Sequence, residues 1–446
     1  MLHSLIVVWS AAALADAPPV SPPAEAAGPA LSLVQAEQLA LRRQPTIRQA
    51  QGQAEAAAGR VEEARAGYLP QVGATAAYQR TTGNFAARPG AIPQTSNGMA
   101  TPTPPVDWTR TFNYWNVGVS ASQLIYDFNS TADRWRSAAA GESAAQASAR
   151  ATETQALLGV RRAYFQARAQ RDLARVAAEA LENQQRHLEQ IQAFVKAGMR
   201  SDIDLATTRT AVANARVQLV NADNAEASAR AVLNQAIGVP ESTAYQLTDS
   251  DEPAVPGEDG GGAELINAAL TARPEIAAAD QQRRAQELTV AAFRGNYGPA
   301  VSANGGLTGA GKSLDDLTPN WFVGLSASWQ LLQGGLTRGQ VREANGTLSA
   351  LTAQADAVRL QVGVEVEQAR LAVRAGKASI GGAEEALASA REQLRLAEAR
   401  YRTGLGSVIE LSDAQVAYTT AAAQEVSARY SLAGARAQLL AALGTR

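Results

Sequence analysis

The sequence predicts a mainly α-helical protein with a small β part, built from two copies of one structural unit. The first observation is an internal repeat, because residues 118–122 recur 206 positions later as residues 324–328 and upstream segments recur after 229 positions. The second is a pair of very long helical patterns. The third is a set of four short segments that alternate apolar and polar residues. Such self-similarity is typical of a pseudo-symmetric scaffold.

Composition excludes several classes of protein. The chain has 446 residues, a formal net charge of -2 and no cysteine. A nearly balanced charge argues against a nucleic-acid partner. The missing cysteine removes disulfides, thiol catalysis and a lipid anchor on cysteine. No catalytic constellation, metal site or cofactor site is predicted. His187, the only histidine after His3, is expected on a solvated helix face.

Five segments are predicted along the chain. Residues 1–15 are interpreted as a secretory signal, because residues 5–14 are apolar and residues 13–15 form a small-x-small cleavage site. A frayed apolar terminus is the alternative. Residues 16–30 are expected to be an extended leader. The first structural repeat then spans 31–238, an inter-repeat linker 239–262 and the second repeat 263–446.

Long helical hairpins are predicted in both repeats. Apolar residues follow three- and four-residue steps from Leu348 to Tyr401, which is the spacing of a coiled-coil contact face. This proline-free run predicts one helix over about 336–400, and its copy-one counterpart over about 130–195. Each long helix is expected to end at a glycine turn and to be followed by an antiparallel helix. A shorter helix is predicted before each strand pair, at 45–66 and 274–294.

Four segments have the alternation of membrane β-strands, with one apolar face and one face of small polar residues. They lie near 72–78, 115–123, 301–307 and 321–330. Four strands cannot close a barrel around a lumen, so sister chains are expected to complete it. Three chains would give a twelve-stranded transmembrane β-barrel. A soluble sandwich with one wet face is the alternative. An aromatic girdle at the membrane interface is predicted from four residues: Tyr114, Trp115, Trp321 and Phe322.

Residues 306–313 match the nucleotide-binding pattern G-x-x-x-x-G-K-[ST]. The motif requires a buried strand before it and a helix at its end. Here a half-polar segment precedes it and a turn-like segment follows. We therefore interpret it as a glycine-rich hairpin tip, and a P-loop NTPase is only an alternative reading.

Two carboxylates near the second hairpin turn are candidates for a functional site. Glu410 and Asp413 are three residues apart, so they share one helix face. In a trimer they would form two rings of carboxylates, which favour cations at a narrow opening. The alternative is a pair of helix N-terminal acids that interact with the helix dipole.

The chain resembles the TolC family of outer-membrane efflux and secretion ducts. The resemblance depends on the duplicated hairpins, the two strand pairs and the segment 401–414, which reads Tyr-x-x-Gly and then Ile-Glu-Leu-x-Asp-Ala. It implies a homotrimer with a β-barrel in the outer membrane of a Gram-negative bacterium and a helical α-barrel that places most of the chain in the periplasm. It also implies a periplasmic adaptor and an inner-membrane pump as partners, in a tripartite efflux pump or a type I secretion system. A soluble periplasmic coiled-coil scaffold is the alternative.

The resemblance also assigns roles to individual residues. Glu410 and Asp413 match the acidic rings at the constricted periplasmic entrance. Tyr401 and Asp204 match members of a hydrogen-bonded network that keeps the entrance closed. The arginine of that network falls at Gly406 here, so Arg200 or Arg402 would have to replace it. The turns at Gly198 and Gly404 match the positions where an adaptor would dock.

Overall fold

The two repeats contain the same elements in the same order. The structure is a computed structural model that describes residues 30–82, 111–240, 245–248 and 253–445. The predicted signal and all of the predicted leader except Ala30 lie outside these residues. The first repeat contains α1 (Leu33–Arg43), α2 (Pro45–Ala66), β2 (Gln71–Thr82), β3 (Thr111–Tyr126), α3 (Ser130–Lys196) and α4 (Asp202–Ile237). The second contains α5 (Gly262–Ala272), α6 (Pro274–Gly295), β5 (Ala300–Gly311), β6 (Thr318–Ser328), α7 (Leu336–Arg402) and α8 (Val408–Ala442).

The long helices confirm the predicted hairpins. α3 and α7 have 67 residues each, which is about 100 Å of helix. α4 and α8 have 36 and 35 residues and pack against them. The short helices α1 and α5 were not predicted from the sequence. Within the described residues, no helix combines the length and the apolar character needed to cross a membrane.

Glycine turns end both long helices, as predicted. Gly198 and Gly404 have positive φ angles of 73° and 78°, which a residue without Cβ adopts readily. The amides of Met199 and Leu405 each donate to the carbonyl five residues back, on Phe194 and Arg400. This is the hydrogen bond of a Schellman cap, and it satisfies a carbonyl that the helix end would otherwise leave free.

The predicted apolar stripe on α7 is buried or half-buried along its length. Val362, Val366 and Val373 are at most 2% exposed and pack with α5 and α8. A second core lies around α3, where Tyr164 and Phe165 contact residues of α1, α4 and α8. Because α8 contributes to both cores and packs against α3, the two hairpins lie side by side in one chain.

The segment predicted as the inter-repeat linker is anchored to its neighbours. Its residues Gln246–Leu247 form a short strand, β4, parallel to β1 (Ala30–Leu31). Glu258 is only 3% exposed, and its carboxylate accepts hydrogen bonds from the backbone amide of Val255 and the guanidinium of Arg436. Lys377 of α7 lies 2.7 Å from the same carboxylate. The segment is therefore tied to both helices of the second hairpin.

The four long strands form one antiparallel sheet in the order β2-β3-β5-β6. Cross-strand partners share a face of the sheet, so the register defines both faces. Val119, Leu307 and Trp321 are aligned on the apolar face, whereas Ser120, Gly306 and Phe322 are aligned on the other. The outer strands β2 and β6 each keep one edge without a partner strand among the described residues.

The register divides the predicted aromatic girdle between the two faces. Trp115 and Trp321 lie on the apolar face, and the Trp115 ring packs against Tyr78 with centroids 4.6 Å apart. Tyr114 and Phe322 are neighbours of these residues in sequence, and side chains alternate along a strand. They therefore belong to the polar face, so only Trp115 and Trp321 of the four predicted residues share the apolar face.

The nucleotide-binding pattern lies in a β-hairpin. Residues 306–311 belong to β5, and the turn to β6 covers only residues 312–317. A Cβ at Gly306 would lie 2.9 Å from Cε1 of Phe322, and one at Gly311 would lie 2.0 Å from the carbonyl oxygen of Asp316. The glycines thus allow close cross-strand contacts, and no helix follows Ser313 to complete a phosphate site.

Candidate functional site

The hairpin turns meet at one end of the helical part, and a small apolar cluster holds them together. Ile191 of α3 and Tyr401 of α7 are buried there against Val408, Leu411 and Ala414 of α8. We call this end the helical tip. It contains most of the residues that the sequence selected.

Tyr401 occupies the centre of the helical tip without the hydrogen bond that the resemblance implies. Its side chain is 3% exposed, and its hydroxyl has no hydrogen-bond partner among the described residues. Burial raises the pKa of Tyr401, and the nearby Asp204 adds to this effect while Arg200 opposes it. The Arg200 guanidinium lies over the Tyr401 ring, 4.7 Å from its centroid. Arg200 therefore contacts Tyr401 through a cation–π interaction.

The arginine at this site comes from the first hairpin. Position 200 is the copy-one equivalent of Gly406, at the offset of 206. A Cβ at Gly406 would lie 3.0 Å from the Tyr401 amide nitrogen and 3.2 Å from Cβ of Arg400. Arg402, the other candidate, pairs instead with Glu398 one turn earlier in α7, at 3.4 Å. Of the two predicted replacements, Arg200 is the one whose guanidinium lies over the Tyr401 ring.

His187 is buried, so the expectation of a solvated histidine is wrong. It is 5% exposed and meets the Tyr401 ring edge to face, with centroids 5.2 Å apart. Burial lowers the pKa of His187, and a hydrogen bond with Gln190 partly opposes the shift. The polar sequence around His187 concealed this contact, because Tyr401 is 214 positions away. Beside the pair lies a polar cavity of about 350 Å³ that reaches Gln415.

The two candidate carboxylates have different surroundings. Glu410 lies in the first turn of α8, where its amide donates to the Ser407 hydroxyl at 3.1 Å. Its carboxylate forms an ion pair with Arg400, with Oε1 3.0 Å from Nε. Asp413 is exposed and has no ion pair or hydrogen bond from its side chain to any described residue. Of the two candidate carboxylates, only Asp413 therefore has no compensating charge among the described residues.

Both turns carry exposed apolar side chains that were not among the predicted site residues. Met199 and Ile203 extend from the first turn at 64% and 73% exposure. Leu405 and Ile409 occupy the equivalent positions of the second turn and are 77% and 71% exposed. The repeat offset of 206 could have identified these four residues as one apolar surface, which we call the tip patch.

A second exposed apolar group lies at the base of the sheet, at the end away from the β5–β6 turn. Leu331 and Leu332, just after β6, are 77% and 93% exposed. Tyr126 and Phe128 are also exposed at the end of β3, and Trp329 is exposed while its indole donates to the Tyr297 carbonyl. We call these five residues the basal belt. Trp321 and Trp329 are eight residues apart, about 26 Å along an extended strand.

The comparisons with known proteins agree with this architecture. Residues 36–239 and 265–445 match the family described as outer membrane efflux protein. The chain is 26% identical to outer membrane protein TolC of Escherichia coli over 434 residues, which cover 93% of this chain and 82% of TolC. It is 27% identical to protein CyaE of Bordetella pertussis, with 96% and 86% covered. The solved structure of the Campylobacter jejuni CmeC outer membrane channel superposes with a TM-score of 0.79 at 18% identity, covering 92% of this chain and 85% of CmeC.

Proposed function

The chain belongs to the outer membrane efflux protein family, and from this membership we propose that three copies assemble into a passive exit duct. The two open sheet edges are the observation that carries the proposal. Among the residues that the structure describes, β2 and β6 each have one edge that pairs with no other strand, and unpaired backbone groups at such an edge are costly in a membrane. Pairing of β2 with β6 of the next chain satisfies both edges, and three chains give twelve strands.

The sheet has the dimensions of a membrane segment. β2, β5 and β6 have 11 or 12 residues, about 38 Å of strand. At a tilt of about 40°, this length covers about 29 Å, close to the hydrocarbon thickness of a bilayer. Val323 and Leu325 of the apolar face are exposed in the single chain and would contact lipid. Trp321 and the basal belt would lie near the two interfaces, where aromatic residues are enriched.

The helical tip would form the periplasmic entrance. The apolar tip patch suits the end of another helical hairpin, so we assign it to a periplasmic adaptor, next to the turns at Gly198 and Gly404. The adaptor would connect the duct to an inner-membrane pump, which supplies the energy. Tyr401, Arg200 and His187 would hold the two hairpins together at rest. Outward movement of the second hairpin would break these contacts and open the entrance.

A paired substitution tests the duct. Val323→Arg places a charge on the lipid-facing side, which costs about 2–4 kcal/mol near the bilayer midplane. We expect much less of this variant in the outer membrane. Gly324→Arg is the matched control, because position 324 faces the lumen and a Cβ there meets no atom within 4 Å. This control should insert and conduct ions in a planar bilayer with an altered conductance. Equal loss of insertion for both variants would overturn the assignment of the two faces.

A further inference from the structure

We propose that Arg400 is a selectivity-determining residue of the duct entrance, because it offsets the charge of Glu410 and leaves Asp413 to act on passing ions. This inference rests on the proposed duct. It also changes the prediction of two equivalent acidic rings. Three chains would then contribute three uncompensated carboxylates at this level instead of six.

The ion pair joins the two helices of the second hairpin. Arg400 lies in the last turn of α7 and Glu410 in the first turn of α8, and the contact between them is 3.0 Å. The two side chains are 57% and 42% exposed. An exposed pair of this kind contributes little to stability, but it changes the local electrostatic field. A guanidinium this close to the carboxylate largely cancels the attraction that a cation would feel beyond the pair.

The backbone of the turn places Arg400 for this role. The amides of Leu405 and Gly406 both donate to the Arg400 carbonyl at 3.0 Å. The chain at Gly406 passes so close that an added Cβ would lie 3.2 Å from Cβ of Arg400. Glycine at position 406 therefore lets the turn fold tightly against the end of α7. The tight turn brings the start of α8 within reach of the Arg400 side chain.

The neighbouring arginines of α7 do not compete for Glu410. Arg402 pairs with Glu398, and Arg395 pairs with Glu392, in each case within α7. Asp413 lies one turn further along α8, and no ion pair to its carboxylate occurs within residues 253–445 or the other described ranges. The arrangement thus separates a neutralised carboxylate from a free one on the same helix.

Single-channel recordings in planar bilayers under a KCl gradient test the proposal through the reversal potential. Arg400→Gln removes the compensating charge, so the cation-over-anion permeability ratio should rise roughly two- to five-fold. Glu410→Gln should lower the ratio, because Arg400 then stands alone, and the double variant should return close to the wild type. Arg400→Lys keeps the charge and should also resemble the wild type. Arg395→Gln is the matched control from the same helix and should change nothing.

The possible failures are distinguishable. An unchanged ratio in Arg400→Gln, together with a lower ratio in Asp413→Asn, would overturn the role of Arg400 and keep the entrance at this helix end. An unchanged ratio in both variants would overturn the entrance itself. Failure of the wild-type protein to assemble beyond single chains in outer-membrane fractions would overturn the proposed duct, independently of Arg400.

Discussion

Glu258 provides a quantitative test of how the inter-repeat segment is anchored. Burial raises the pKa of this carboxyl, but hydrogen bonds from Lys377, Arg436 and the Val255 amide outweigh burial and lower it to about 2, from 4.5 for an ordinary glutamate. This difference corresponds to about 3 kcal/mol. Because solvent reaches the half-buried Lys377, we expect Glu258→Gln to lower the free energy of unfolding by about 2–3 kcal/mol at pH 7.

The pH dependence follows from the direction of the shift. A carboxyl whose pKa is lower in the folded state stabilises the protein fully above the unfolded value of 4.5. The contribution is lost progressively as the pH falls from 4.5 towards about 2. The stability gap between wild type and Glu258→Gln should therefore be widest near neutral pH and should narrow steadily in acid.

Denaturant unfolding of the detergent-solubilised protein, followed by circular dichroism from pH 7 to pH 2.5, measures this gap. Glu392→Gln is the matched control, because Glu392 forms an exposed ion pair with Arg395 within one helix. Such a pair contributes less than about 1 kcal/mol. A gap that stays constant down to pH 2.5, or one no larger than that of the control, would refute the reasoning.

Three further predictions concern the helical tip and the sheet. Tyr401→Phe removes a buried hydroxyl that has no hydrogen-bond partner among the described residues. Single-channel recordings should show an entrance as closed as in the wild type, and the free energy of unfolding should be equal or about 1 kcal/mol higher. An open channel would show that the hydroxyl locks the entrance. Leu331→Ser combined with Leu332→Ser should weaken the interaction of the basal belt with lipid. Less of this double variant than of the wild type should then remain in carbonate-washed outer membranes. Recovery equal to that of the wild type would contradict the interfacial position of the belt. Gly306→Val should displace the Phe322 ring, because the ring leaves no room for a Cβ at position 306. The substitution should lower the stability of the folded protein by about 1–3 kcal/mol, which semi-native gels would show as a smaller oligomer fraction. An unchanged oligomer fraction would contradict the close contact.

Local signals predicted the regular elements well. Proline-free apolar spacing placed both long helices to within two residues of their observed ends, because 67-residue helices repeat the same signal many times. Glycine marked both turns, since Gly198 and Gly404 adopt positive φ angles. Alternation identified all four long strands but underestimated their length. Strand ends depend on pairing with neighbours, which the local pattern does not contain.

The site was less predictable because its contacts join distant parts of the chain. His187 lies in a polar stretch, yet Tyr401 covers it from the other hairpin. The motif around Glu410 indicated a free carboxylate, but the side chain of Arg400 meets it across the turn. Strand alternation alone assigns Tyr114 and Phe322 to one face and Trp115 and Trp321 to the other, a division that the register shows.

Closure of the sheet between chains is the central claim, and disulfide trapping tests it most directly. The chain has no cysteine, so one cysteine placed on β2 and one on β6, scanned along both strands, gives a background-free cross-link. In outer-membrane fractions we expect oxidation to join β2 of one chain to β6 of the next, with a ladder that ends at three chains. A product confined to single chains, or a ladder that continues beyond three, would contradict the trimeric duct.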